Sequence, residues 1–246
     1  MLQKTKGIVL SHTNYSETSI ICKIYTEVLG LRTYMVNGVR SARAKNKSVF
    51  FQPLTLLDMV VYERDGKGIQ RIKEHRPVRV FQAIPFDVIK SGIALFMTEV
   101  LMKVIGEEEG DEKLFSFLEY KCIGYLEEEK MSKYFPLYFL MELSRYLGFY
   151  PHNNYESEKY PFFDLMEGRY IGEEAMIQQQ LIMTLRFSKF FSDCLDKELS
   201  ELEKVGMNRQ ERKAMLDWLI RYYRLHISNF EKLQSLEVLE QVWGGN

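Results

Sequence analysis

Cysteine, histidine and long apolar runs are scarce in this chain of 246 residues, and each shortage removes a class of function. The three cysteines, Cys22, Cys122 and Cys194, are odd in number and far apart, so they encode neither a disulfide framework nor a zinc module. Buried thiols in a reducing compartment are expected instead. His12, His75, His152 and His226 stand in four unrelated contexts, and His226 reads as a hydrogen-bonded core histidine on the apolar face of its helix. There is no His-x-x-x-His, Cys-x-x-Cys, Gly-x-x-x-x-Gly-Lys or Gly-x-Ser-x-Gly pattern, so metal hydrolysis, phosphate-loop nucleotide binding and serine-hydrolase chemistry lack their usual starting residues. The expectation is a protein that is not an enzyme and carries no cofactor and no metal. The N-terminus has no apolar signal core, and the most apolar later stretch, Ile93 to Ile105, is interrupted by Glu99 and Lys103. That predicts no membrane association and a cytoplasmic location.

What is present is unevenly distributed. The whole chain has 33 Lys+Arg and 34 Asp+Glu, yet residues 1–80 hold 14 of the former and 6 of the latter, leaving 19 and 28 for the remainder. A basic front half beside an acidic back half points to polyanion binding by the first and partner docking by the second. The positive charge peaks in Arg40-Ser-Ala-Arg43-Ala-Lys45-Asn-Lys47, four cations in eight residues with no acid among them. Period-two alternation predicts strands on both sides. Ser19–Tyr25 places Ile20, Cys22 and Ile24 inward, and Leu31–Asn37 places Arg32, Tyr34 and Val36 on one face. One sheet face is therefore expected to carry Lys23, Tyr25, Arg32 and Tyr34, cations interleaved with rings as in a single-strand binding platform. The competing reading of that face is a solvated surface with tyrosines lying over lysine stems. After the basic loop, Leu54–Glu63 reads as a long strand, Asp65-Gly-Lys-Gly68 as a hairpin turn and Ile69–Lys73 as its return, with Lys67, Arg71 and Lys73 extending the positive surface. Five strands in about 75 residues leave no room for crossover helices and predict a small antiparallel barrel of the OB type.

Pro77 and Pro85 mark the change to helix. Apolar spacing predicts helices over Phe86–Ile105, from Asp111 to Tyr125, over Tyr134–Leu147 with Gly148 as its stop, over Glu173–Ser188, over Phe190–Glu203, after the Asn208 cap, and over Ser235–Val242. Residues 149–172 lack periodicity but are crowded with aromatics, so a loop pinned by ring packing is expected. The fold class is α+β: an OB-type barrel over 1–80 and a helical domain over 81–246.

The order and spacing of Gly7-Ile-Val-Leu10, Tyr15-Ser-Glu17, Gly38-Val-Arg40, Gln52-Pro53, Leu147-Gly-Phe-Tyr-Pro151, Tyr222-Tyr-Arg-Leu-His226 and Ser235-Leu-Glu-Val-Leu239 resemble the RecO family of bacterial DNA repair and recombination mediators. The resemblance runs the length of the chain. It implies a protein that binds single- and double-stranded DNA and anneals strands coated by single-stranded DNA-binding protein. It also implies docking of that protein's acidic C-terminal tail, and joining RecR to load the recombinase. Many family members carry a four-cysteine zinc module after the third helix; Asn153 to Tyr170 has no cysteine, and Tyr155, Tyr160, Phe162 and Phe163 are expected to fill its place by packing. A tail ending in acids and an aromatic needs a basic rim, for which Arg145 and the pair Arg221 and Arg224 are candidates. Two other readings compete: an adaptor whose basic barrel docks an acidic protein, and an RNA-binding barrel.

Overall fold

A computed structural model describes residues 1–39, 47–63, 68–106, 110–175 and 179–243. By packing, these fall into two compact units, residues 1–129 with 233–243, and residues 130–232.

The first unit is built on five strands, β1 (Leu2–Asn14), β2 (Ile20–Thr26), β3 (Gly30–Val36), β4 (Leu56–Tyr62) and β5 (Ile69–Pro77), closed in the order β1-β2-β3-β5-β4. All neighbours are antiparallel except β3 and β5, which run parallel through Thr33↔Ile69, Tyr34↔Gln70 and Met35↔Arg71. This is the OB-type barrel expected from the strand count. Gly30 turns β2 into β3 at φ 69°, a conformation that costs a side-chain-bearing residue energy. The barrel core consists of Val9, Ile20, Cys22, Ile24, Tyr34, Val36, Leu57, Met59 and Val61, every second residue of its strands. Gly7 suits that packing, since a Cβ there would sit 2.6 Å from Ile24 Cγ2 and 2.4 Å from Met59 Cε, so the neighbours would have to shift.

Helix α1 (Val88–Val104) starts where Asp87 accepts hydrogen bonds from the Ile89 and Lys90 N–H groups at 2.8 and 3.1 Å. Asp111 caps α2 (Glu112–Ser116) in the same way, and the chain continues as a π-helical turn over Phe117–Gly124. The last helix of this unit, α7 (Ser235–Val242), returns onto α1. Gly92 permits the approach: a Cβ there would lie 2.7 Å from Val242 Cγ2.

The second unit contains α3 (Phe135–Tyr146), stopped by Gly148 at φ 82°, then β6 (Phe162–Asp164), β7 (Arg169–Ile171), α4 (Leu185–Cys194), α5 (Leu199–Leu202) and α6 (Arg209–His226). Three expectations are corrected here. The aperiodic stretch folds into a β6–β7 hairpin rather than a plain loop. Of the helix expected over Glu173–Ser188, the described residues form 3-10 turns at Glu173–Ala175 and Gln179–Leu181 and regular helix from Leu185, while residues 176–178 lie outside the described residues. The helix expected over Phe190–Glu203 is broken by Asp196 at φ 58°, which no α-helix accommodates. The ring packing holds for two of the four rings expected: Phe163 meets Tyr170, Phe191 and Tyr222 at centroid distances of 5.0, 4.8 and 5.9 Å, and Tyr155 meets Tyr170 at 5.3 Å, whereas Tyr160 is 39% exposed and Phe162 only partly buried. His226 is hydrogen-bonded as expected, with Nε2 2.9 Å from the Leu165 carbonyl and its ring stacked on Phe149 at 5.3 Å, but it is partly exposed rather than in the core.

Candidate nucleic-acid interface

Strand register decides which side chains share a face. Cys22 lies opposite Tyr34 and Ile24 opposite Arg32, so the β3 residues Arg32, Tyr34 and Val36 lie on the core side of the sheet, whereas Lys23, opposite Thr33, and Tyr25, opposite Leu31, lie on the outer side. The expectation that Lys23, Tyr25, Arg32 and Tyr34 form one solvent face is therefore corrected. Tyr34 is 0% exposed, and burial beside the Glu63 charge pushes its hydroxyl well above the ordinary phenol range. Its hydroxyl has no hydrogen-bond partner among the described residues. Arg32, at the rim, approaches Glu63 at 3.4 Å. Tyr25 faces outward but is 2% exposed, because Phe115 packs over it with ring centroids 6.0 Å apart; burial pushes its hydroxyl up to about 12, and it donates to the Asp111 carbonyl at 3.3 Å. Neither ring is presented for stacking.

The register assembles a different outer surface. Ile21, Met35, Arg71 and Tyr62 lie in one row across β2, β3, β5 and β4, and Lys23, Thr33 and Ile69 lie in the next. Lys23 and Arg71 are exposed and have no acidic partner among the described residues, while Ile69 and Tyr62 are 46% and 37% exposed. Lys73 sits at a β-bulge, where it and Glu74 together oppose Val60, with its ammonium 3.6 Å from the Glu74 carboxylate. Tyr15, 60% exposed, projects from the β1–β2 turn, which is closed by Tyr15 N–H donating to the Ser19 carbonyl at 3.1 Å. This end of the barrel thus joins cations, an apolar floor and two accessible rings, the parts that hold a nucleic-acid strand by phosphate pairing and base stacking.

Tyr62 and Tyr15 were not among the expected site residues. A signal for Tyr62 exists in the sequence, since the polar Asp58 fixes the outward parity of β4 and Tyr62 follows it by four. Arg40, Arg43, Lys45 and Lys67 lie outside the described residues; of Lys47 only the backbone is described, opening the 3-10 turn Lys47–Phe51. In the second unit, Arg145 lies 3.6 Å over the Tyr150 ring and 3.3 Å from both Glu142 and Asp196, so it acts as a strut. Arg221, 5.0 Å over Trp218, and Arg224 are exposed one helical turn apart on α6. Among the described residues no three His, Cys, Asp or Glu side chains converge as metal ligands would, and no helix is long and apolar enough to cross a membrane.

Residues 1–81 match the family model described as Recombination protein O N terminal, and residues 85–237 match Recombination protein O C terminal. The chain is similar to the DNA repair protein RecO of Bacteroides fragilis, 37% identical over 245 residues that cover 99% of this chain and 100% of the relative. It is similar also to the proteins of that name from Flavobacterium psychrophilum, 34% identical over 98% of each chain, and from Porphyromonas gingivalis, 24% identical over 99% and 100%.

Proposed function

Because this chain belongs to the RecO family, we propose that it is a DNA repair protein acting without catalysis of its own, as a recombination mediator in the cytoplasm. In this reading the barrel, residues 1–80, grips the phosphate backbone of single- and double-stranded DNA, and the rest of the chain engages helpers. The observation that carries it is the outer row in which exposed Arg71 stands beside Tyr62, with Lys23 in the adjacent row and no acid pairing either cation among the described residues. Lys73 and, on composition, Arg40, Arg43, Lys45, Lys47 and Lys67 add phosphate contacts. Strands coated by single-stranded DNA-binding protein are brought together on this surface and annealed. The acidic tail of that protein docks against Arg221 and Arg224, and RecR joins to load the recombinase.

Counterion release gives the test. If about five phosphates are neutralised, the log-log slope of affinity against salt is roughly −3.5 on single strands and −4.5 on duplex. Joint replacement of Arg40, Arg43, Lys45 and Lys47 by Ala flattens it by about 3 units, read by fluorescence anisotropy. A salt-independent affinity defeats the reading. Annealing of complementary oligonucleotides, with and without single-stranded DNA-binding protein, tests the mediator step: acceleration only of naked strands leaves a DNA-binding protein that is no mediator. No oligonucleotide shift combined with capture of an acidic protein after nuclease treatment would install the adaptor reading instead.

A further inference from the structure

The first unit holds a second surface that the DNA reading does not use. Between the 3-10 turn Lys47–Phe51, the connector from Pro77 to Phe86 and the start of α1 lies a cavity of about 480 Å³. Phe50, Phe81, Ile84, Phe86, Ala94 and Leu95 line it, and among the described residues Arg79 is its one charged lining residue. Its rim stays apolar in water: Phe86 is 81% exposed and Val80 66%, with Val49 and Leu95 about half exposed. Contiguous apolar surface of this kind on a folded chain marks a contact site.

Arg79 says what the contact must bring. Its Nε and Nη2 atoms are buried without a hydrogen-bond partner among the described residues, and its guanidinium lies 5.8 Å over the Phe81 ring. The acid that reaches the connector, Glu127, is committed elsewhere: its carboxylate accepts from the backbone N–H groups of Gln82, Ala83 and Ile84 at 2.7 to 3.3 Å. A half-buried cation with two of its three nitrogens shielded, and no counter-charge among the described residues, is unfavourable until one arrives. We propose that this cavity docks a protein segment presenting apolar side chains and a single carboxylate, the apolar residues filling the space between the barrel turn and α1 and the carboxylate neutralising Arg79. A small molecule would leave Phe86 and Val80 in water, whereas a peptide chain covers both cavity and rim. One cation calls for one acid, which separates this surface from a tail-binding site with several arginines. The proposal stands independently of the DNA reading.

The test uses the full chain and three labelled twelve-residue peptides of identical leucine and phenylalanine content, with Glu, Gln or Lys at the central position, followed by fluorescence anisotropy. The Glu peptide binds saturably and at least about tenfold more tightly than the Lys peptide. Arg79→Glu reverses that order, and Arg79→Met, which keeps the stem and the fold, abolishes the discrimination. Leu95→Arg on the rim weakens all three while thermal unfolding stays unchanged. The proposal falls if no peptide saturates, or if the order of the three is the same with and without Arg79. It also falls if a peptide with four consecutive acids binds more tightly than the single-acid one, or if an oligonucleotide displaces the Glu peptide.

Discussion

Two tyrosines show how much turns on one residue of register. Tyr34 and Tyr62 both belong to alternating strands, yet the first stands opposite Cys22 inside the barrel and the second opposite Arg71 outside it. Alternation alone grouped Arg32, Tyr34 and Val36 correctly; which face of β3 met the core was settled only by pairing with β2, which a sequence does not display. A charge such as that of Arg32 reads as outward in a sequence, although a rim position beside Glu63 accommodates it. Tyr62→Ala is therefore expected to weaken single-strand binding by ~1–3 kcal/mol, the range for loss of one stacked base, as read by oligonucleotide titration. Tyr34→Phe should leave that affinity unchanged. It should also hold or raise the unfolding temperature, because it removes a buried hydroxyl without a partner among the described residues. A loss of DNA binding in Tyr34→Phe would return the site to the inner face.

Elements with strong local signals were legible: Asp87, Asp111 and Asn208 sit at the helix starts where their residue types belong, and Gly30 and Gly148 turn the chain where positive φ is needed. The break at Asp196 and the β6–β7 hairpin carry no such signal, since long-range contacts accompany both: ring packing around Phe163 and Tyr170 at the hairpin, and hydrogen bonds with the Tyr150 hydroxyl and Arg145 at Asp196. Phe163, fully buried in that packing, is expected to cost about 3–5 kcal/mol on replacement by Ala, measured by chemical denaturation. Rings fill this part of the unit, so a chelator should leave the unfolding temperature unmoved; a drop would reveal a metal. The seat of α7 makes a pH prediction. Burial of the Glu99 carboxyl opposes its charge, but hydrogen bonds outweigh it: the Ser235 hydroxyl and the N–H groups of Ser235 and Gln234 donate to it, the latter two at 2.7 and 2.8 Å. With Lys103 adding to the effect, the group titrates below its ordinary range. The folded value being lowered, this stabilisation is complete above the usual carboxylate range and disappears as pH falls through the lower folded value. Glu99→Gln should accordingly make the acid limb of the unfolding temperature shallower. An unchanged limb would show that α7 is held by apolar contacts alone.

At the scale of the chain, the charge asymmetry is plain in the residue counts, and the number of strands was enough to anticipate the barrel. The packing division was not legible in the same way. Secondary-structure type changes after about residue 80, yet α1, α2 and α7 pack within the same unit as the barrel, and residues 130–232 form the other. Apolar faces announce that a helix will be covered, not by what. Because α7 lies more than a hundred residues beyond α1 in the chain, its seat against Gly92 and Glu99 stays empty on the ribosome until more than a hundred further residues have emerged. The nascent barrel unit must wait through the synthesis of an entire intervening body before its final piece arrives. Early release of the chain would leave a strip of α1 bare, open to chaperones and proteases.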